Sequence, residues 1–286
     1  MGHRLLLGSF HEARRHLHTG ASPPEPSFAA RVIQSISRNG DIFHARKLFD
    51  EMPDKDIFSC SAMIYGYASN GFFSESLTLF SQIMDFSISP NTHTFVAALL
   101  GSAGLKNLRF TDCIHGRIIK SGLESNTFVS TSLLNSYSKS GAANDAYKSF
   151  IELERPKLAS WNAMIAGFVF NSEFERCFWL FKLLQKARIN PNCITMMSVT
   201  QSCIGHGSLR LSESIHGYVL KAGFDSDVSL MNSVLDMYSS FRRFDITKDF
   251  FMKMATKDVI TWTNMMSFML ELSCPAVLKL SIYFLK

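Results

Sequence analysis

The stretch Ile114-His115-Gly116-Arg117-Ile118-Ile119-Lys120-Ser121-Gly122 returns 101 residues further on as Ile215-His216-Gly217-Tyr218-Val219-Leu220-Lys221-Ala222-Gly223. The same shift lays Trp161 on Trp262 and Pro90-Asn91 on Pro191-Asn192, and it puts Phe49, Phe150 and Phe251 in one register. Self-similarity at a fixed offset is the signature of a repeat architecture. Each 101-residue unit divides again into subunits of 31, 35 and 35 residues. Boundaries then fall at 26–56, 57–91, 92–126, 127–157, 158–192, 193–227 and 228–258, with a divergent last unit at 259–286. Residues 26–286 form one array, and residues 1–25 stand apart from it.

Within a subunit the apolar spacing predicts two short helices. Met164, Ile165 and Phe168 recur at three- and four-residue steps, and Phe178, Phe181 and Leu184 do so on a second helix. Ala62 with Gly66, and Ala163 with Gly167, are small pairs one helical turn apart that let backbones approach. Turn glycines (Gly40, Gly71, Gly141) separate the helices, and Pro53, Pro90, Pro156 and Pro191 stop the second one. A single helix pair cannot bury its apolar stripe, so pairs must stack on neighbours. The expected fold is all-α, an α-solenoid of stacked helix-turn-helix repeats.

The totals agree with such a chain without choosing its function. A hydrophobic content of 47% is ample for a core, and the net charge of +5 is compatible with a polyanionic partner. The cysteines (Cys60, Cys113, Cys177, Cys193, Cys203, Cys274) show no C-x-x-C spacing, which argues for reduced, mostly buried thiols and against a metal site. Residues 86–105 lack charge but hold Pro90, Asn91, Thr92 and His93, too polar for a membrane helix, and no membrane partner is expected. Residues 1–25 carry Arg4, Arg14, Arg15 and four histidines against Glu12 and Glu25, and end in loop-forming Ala21-Ser22-Pro23-Pro24. That composition fits an organelle targeting presequence, mitochondrial with chloroplast as the alternative, or else an irregular natural N-terminus.

The phrases Ala45-Arg46-Lys47-Leu48-Phe49-Asp50-Glu51-Met52-Pro53 and Trp161-Asn162-Ala163-Met164-Ile165, the Ile-His-Gly pairs and Lys120-Ser121-Gly122-Leu123 resemble the pentatricopeptide repeat (PPR) family. The order of lengths is similar to its plant subclass with alternating S, P and L repeats. The resemblance spans residues 26 to about 266. It implies binding of organellar single-stranded RNA, about one base per repeat, with no DNA partner and no cofactor.

In that family the fifth and last residues of a repeat read the base. Carried over, the reading residues are Ser61 with Asn91, Asn162 with Asn192, Asn232 with Asp258, and Thr263 in the last unit. By family behaviour the three pairs favour adenine, a pyrimidine and uracil. Thr131 with Lys157 and Ala30 with Asp56 depart from the pattern, and Val96 and Met197 offer no polar atom. Apolar residues at the second place, Phe58, Phe128 and Ile260, are expected to hold the base plane, and Arg38 and Lys139 to meet phosphates. Helix capping is the alternative role for the polar positions, and solvated surface charge for the basic ones.

Members of the subclass often end in a zinc deaminase that needs H-x-E and P-C-x-x-C elements. Neither occurs here, nor does a phosphate-binding loop or a nucleophile elbow. His115 and His216 recur, and their repetition fits packing better than ligation. No enzyme activity is expected. The expectation is an RNA-binding specificity factor for organellar C-to-U editing, with the editing or processing enzyme acting in trans. The alternatives are a peptide-binding scaffold or an inactive truncated product. The last unit favours truncation: it keeps Trp262, Thr263, Met265 and Met266, replaces the turn glycine by Ser273, carries Cys274-Pro275, and ends in apolar residues at 280–285.

Overall fold

The computed structural model describes residues 26–85 and 89–271. The proposed presequence at 1–25, and Ser273, Cys274 and the rest of the last unit from 272, lie outside the described residues. Every regular element among the described residues is an α-helix, and the fold is the α-solenoid class of helical repeats. The chain divides into two compact units, Met1–Gly167 and Phe168–Lys286.

In the first unit the helices come in pairs: α1 (Pro26–Arg38) and α2 (Ile42–Glu51), α3 (Ile57–Ser69) and α4 (Phe73–Asp85), α5 (Thr92–Leu105) and α6 (Leu108–Lys120), α7 (Thr127–Lys139) and α8 (Ala143–Ile151). α9 (Leu158–Phe170) crosses into the second unit. The second unit continues with α10 (Phe174–Lys186), α11 (Cys193–His206) and α12 (Leu209–Lys221), α13 (Val228–Ser240) and α14 (Phe244–Lys253), and α15 (Val259–Glu271).

Within the first unit α1, α3, α5 and α7 pack side by side in chain order. Helices α2, α4 and α6 each pack on their own partner and on the next first helix. The second unit repeats this, with α11, α13 and α15 in one row and α10, α12 and α14 against it.

Burial follows the helical period. Ile33, Leu48, Phe49, Met63, Ile64, Leu77, Phe95 and Leu99 are fully buried in the first unit, and each such side chain contributes about 1.5–3 kcal/mol. Phe150 meets Trp161 edge-on at 4.9 Å in the first unit, and Phe251 meets Trp262 edge-on at 4.8 Å in the second. The close approach expected of Gly66 is present: a Cβ there would lie 2.5 Å from Ser37 Oγ on α1. Gly167 sits against Ser138 of α7 in the same way. The recurring histidines pack between helices. His115 Nδ1 lies 2.9 Å from the Tyr137 hydroxyl, which donates to Asp112, and His216 Nδ1 lies 2.9 Å from the Tyr238 hydroxyl.

The turn glycines Gly40, Gly71 and Gly141 adopt φ 81°, 85° and 79°. Ser172 (φ 59°) and Arg242 (φ 53°) fill the matching left-handed places in the second unit. The cost of about 1–2 kcal/mol for an L residue there is borne by the packed helices on either side.

Candidate nucleic-acid interface

The sequence-predicted base-reading and base-holding residues lie at the N-terminal ends of the first helices, whereas Arg38 and Lys139 lie at the other ends of theirs. An α-helix leaves its first N–H groups without partners, and Asn or Asp just ahead of it accepts from them. Asn91 caps α5 in this way: its Oδ1 accepts from the Thr94 N–H at 3.0 Å and from the Thr94 hydroxyl at 3.1 Å, while the Asn91 N–H donates to Thr94 Oγ1 at 3.2 Å. Asn192 and Thr195 make the same reciprocal box on α11, with bonds of 3.0, 3.0 and 3.2 Å. Asp258 Oδ1 accepts from the Thr261 N–H at 2.8 Å at the head of α15. The capping role is therefore real at all three last-position residues.

At Asn91 and Asp258 the cap occupies Oδ1 and leaves the second terminal atom outside the cap. Nδ2 of Asn91 and Oδ2 of Asp258 make no hydrogen bond among the described residues. Ser61 on α3 lies next to the first of these. It is 5% exposed, and its Oγ sits 2.7 Å from Thr94 Oγ1 and donates to the Ile57 carbonyl at 2.7 Å. Asn232 on α13, also 5% exposed, donates from Nδ2 to Asp258 Oδ1 at 3.1 Å and accepts at Oδ1 from the Thr261 hydroxyl at 2.6 Å. These bonds hold the Asp258 carboxyl below its ordinary value, the Thr261 N–H foremost and its hydroxyl next. The second N–H of Asn232 and Asp258 Oδ2 thus offer a donor beside a charged acceptor.

The remaining residues fall as follows. Asn162 lies on α9, and Thr263 is exposed on α15 with its hydroxyl donating to the Val259 carbonyl at 2.7 Å. Phe58 (52%), Phe128 (74%) and Ile260 (58%) are exposed, each the second residue of its helix. An apolar side chain left that open at a recurring place has a face free for a flat partner. Arg38 and Lys139 sit in the last turns of α1 and α7. Eight residues of helix, about 12 Å of rise, separate them from Ala30 and Thr131 at the fifth places. They are also well placed to complement the helix dipole.

In the first unit a cleft of about 330 Å³ opens over this row, lined by Ala30 and Gln34 of α1, Phe58, Ser61 and Tyr65 of α3, and His93 of α5. Such a volume admits a planar ring. Sequence reasoning missed Gln34, Tyr65, His93 and above all Thr94, Thr195 and Thr261. The Asn/Asp-x-x-Thr spacing of a capping box was the signal for the threonines. Three thiols are buried in the helix packing, and burial pushes Cys60 and Cys177 up to about 11 and Cys203 up to about 12.

The PPR repeat model matches residues 31–57, 58–88 and 159–189. The pentatricopeptide repeat-containing protein At2g33680 of Arabidopsis thaliana is 31% identical over 236 residues, which is 82% of this chain and 32% of the relative. From the same plant, pentatricopeptide repeat-containing protein At1g15510, chloroplastic, is 30% identical over 231 residues, 80% of this chain and 27% of the relative. The chain spans about a third of the length of the curated relatives it matches. Among solved structures, a cysteine-substituted form of the pentatricopeptide repeat protein PPR10 in complex with an 18-nt psaJ RNA element matches with a TM-score of 0.70 at 16% identity, covering 94% of this chain and 40% of that one. PPR10 from maize matches at 0.55 and 17% identity, covering 91% of this chain and 44% of that one. At such identities the likeness speaks for the fold alone.

Proposed function

The chain belongs to the pentatricopeptide repeat family, and on that footing we propose that it binds single-stranded RNA through the N-terminal ends of its first helices. The observation that carries the reading is the capped pair. Because the cap takes Oδ1, Asn91 keeps an N–H and Asp258 keeps a carboxylate oxygen for a partner. The N–H of Asn91 suits a ring nitrogen without a proton, as in adenine or cytosine, and the oxygen of Asp258 suits the N3–H of uracil. Ser61 beside Asn91 accepts from the adenine amine, and the spare N–H of Asn232 beside Asp258 reaches a uracil carbonyl. The repeat register of the sequence alone assigns a pyrimidine to the repeat at 158–192.

Phe58, Phe128 and Ile260 hold base planes, and Arg38 and Lys139 meet the backbone where it passes the helix ends. The finer reading is a specificity factor for C-to-U editing in an organelle, mitochondrion or chloroplast, with the editing enzyme acting in trans. It is supported by the 31-, 35- and 35-residue order and the basic first 25 residues.

The test is a fluorescence-anisotropy titration of the full chain with a labelled single-stranded RNA carrying A-N-N-C-N-U, against its duplex and the same sequence as single-stranded DNA. Single-stranded RNA should bind best, more weakly as salt rises. Equal binding of the duplex would defeat the proposal, because paired bases hide the edges these residues address.

A further inference from the structure

We propose that the buried hydroxyl three residues after a reading cap, at Thr94 and Thr261, is a positioning residue that sets which atoms the pair shows to a base. A slot is then specified by three side chains, the third belonging to the following helix. This rests on the base-reading proposal and extends it.

Thr261 is fully buried and touches both members of its pair. Its hydroxyl lies 2.6 Å from Asn232 Oδ1 and 2.8 Å from Asp258 Oδ1, and its oxygen accepts the Asp258 N–H at 3.1 Å. An Asn amide is nearly symmetric in shape, so its polarity toward a ligand depends on what holds its inner atom. With the Thr261 proton directed at Oδ1, the amide must turn Nδ2 toward Asp258 and the opening. Thr94, also fully buried, does the equivalent for its pair, 2.7 Å from Ser61 Oγ and 3.1 Å from Asn91 Oδ1. Thr195 makes the same box with Asn192.

The chain contains its own controls. After Asn126 and Asp227 the corresponding residues are Val129 and Leu230, both fully buried. Those caps form without any hydroxyl, Asn126 accepting from the Val129 N–H at 3.3 Å and Asp227 from the Leu230 N–H at 2.9 Å. The fifth residues of those two repeats are Val96 and Met197, which have no polar group to orient. At these two places neither the cap nor the fold needs the hydroxyl, whereas Ser59, fully buried after Asp56, keeps one and donates it to the Asp56 carbonyl. Where Lys157 replaces the capping residue, Thr131 Oγ1 is left buried without a hydrogen-bond partner. Val129 and Leu230 show that an aliphatic residue three places after the cap is compatible with folding.

The test uses the full chain and four RNAs that differ only at the slot of Asn232 and Asp258, with Thr261→Val and Thr261→Ser compared with the parent. The parent should favour uracil. Thr261→Val should lower the ratio of uracil to cytosine binding by about tenfold, and Thr261→Ser should restore it. A merely structural role would weaken all four RNAs alike and leave the ratio unchanged, which would overturn the proposal. Should Thr261→Val not fold, Thr94→Val read at the adenine slot gives the same decision. No preference in the parent overturns the base-reading premise and this proposal with it, whereas a preference that survives Thr261→Val overturns the hydroxyl's role alone.

Discussion

Asp258→Asn isolates the chemistry of one reading atom. In the parent, Asp258 Oδ1 accepts from the Thr261 N–H at 2.8 Å and from Asn232 Nδ2 at 3.1 Å. An Asn keeps an Oδ1 for both, so the cap survives and the thermal midpoint should move by only a few degrees. The outer atom changes from a carboxylate oxygen to an amide N–H. The parent carboxyl, held below its ordinary range by those same bonds, is ionised at neutral pH and can only accept.

Uracil therefore loses a hydrogen bond to a charged acceptor, on the order of ten- to a hundredfold in binding. Cytosine, whose ring nitrogen accepts, gains a neutral bond that contributes roughly two- to tenfold. The ratio of uracil to cytosine affinity should fall by about a hundredfold and invert. Anisotropy titrations with two RNAs differing at that one base measure it, alongside a melt of the free protein. An unchanged uracil preference would refute the assignment of Oδ2 to the base edge. Equal weakening of both RNAs would refute the polarity argument.

Phe251→Ala tests the repeat core: Phe251 is 2% exposed and sits edge-on to Trp262 at 4.8 Å, so its truncation should cost about 3–5 kcal/mol in urea unfolding. A loss well under 1 kcal/mol would mean that the pair is not packed as described. Burial lowers the His216 pKa from 6.5. As pH falls past 6.5 the unfolded chain takes up a proton that the folded imidazole still refuses, so stability should drop until the folded pKa is reached and then level off. Urea midpoints at several pH values should show that decline in the parent and a smaller one in His216→Gln, and identical slopes would contradict it. Gly66→Ala places a methyl 2.5 Å from Ser37 Oγ and 2.9 Å from its Cβ, and calorimetry should record a loss of about 1–3 kcal/mol.

The repeat was legible because it is written in residues whose spacing has a physical cause. Proline after the second helix, small pairs such as Ala62 and Gly66, and the recurring Trp161 and Trp262 each report a turn, a close approach or a buried ring. The turn was less legible. Ser172 and Arg242 occupy left-handed backbone that composition alone assigns to glycine, since neighbouring helices override a local preference. At the site, pair positions could be counted from the repeat register, but the threonines behind them could not. A buried Thr in an apolar stretch such as Thr92-His93-Thr94-Phe95 looks like part of the core, and its second role appears only when Ser61 of another helix comes within 2.7 Å. Distance along a helix axis also escaped the pattern. Arg38 and Lys139 share a register with the reading residues yet stand at the other ends of their helices.

The most direct test of the account is selection of a randomised single-stranded RNA pool on the chain, sequenced at two salt concentrations. The account predicts enrichment of adenine, two free positions, a pyrimidine, one free position and uracil, in that order, with the bases unchanged and the yield lower at high salt. Enrichment of a different spacing, or none from well-folded protein, would contradict the claim that these capped pairs read bases.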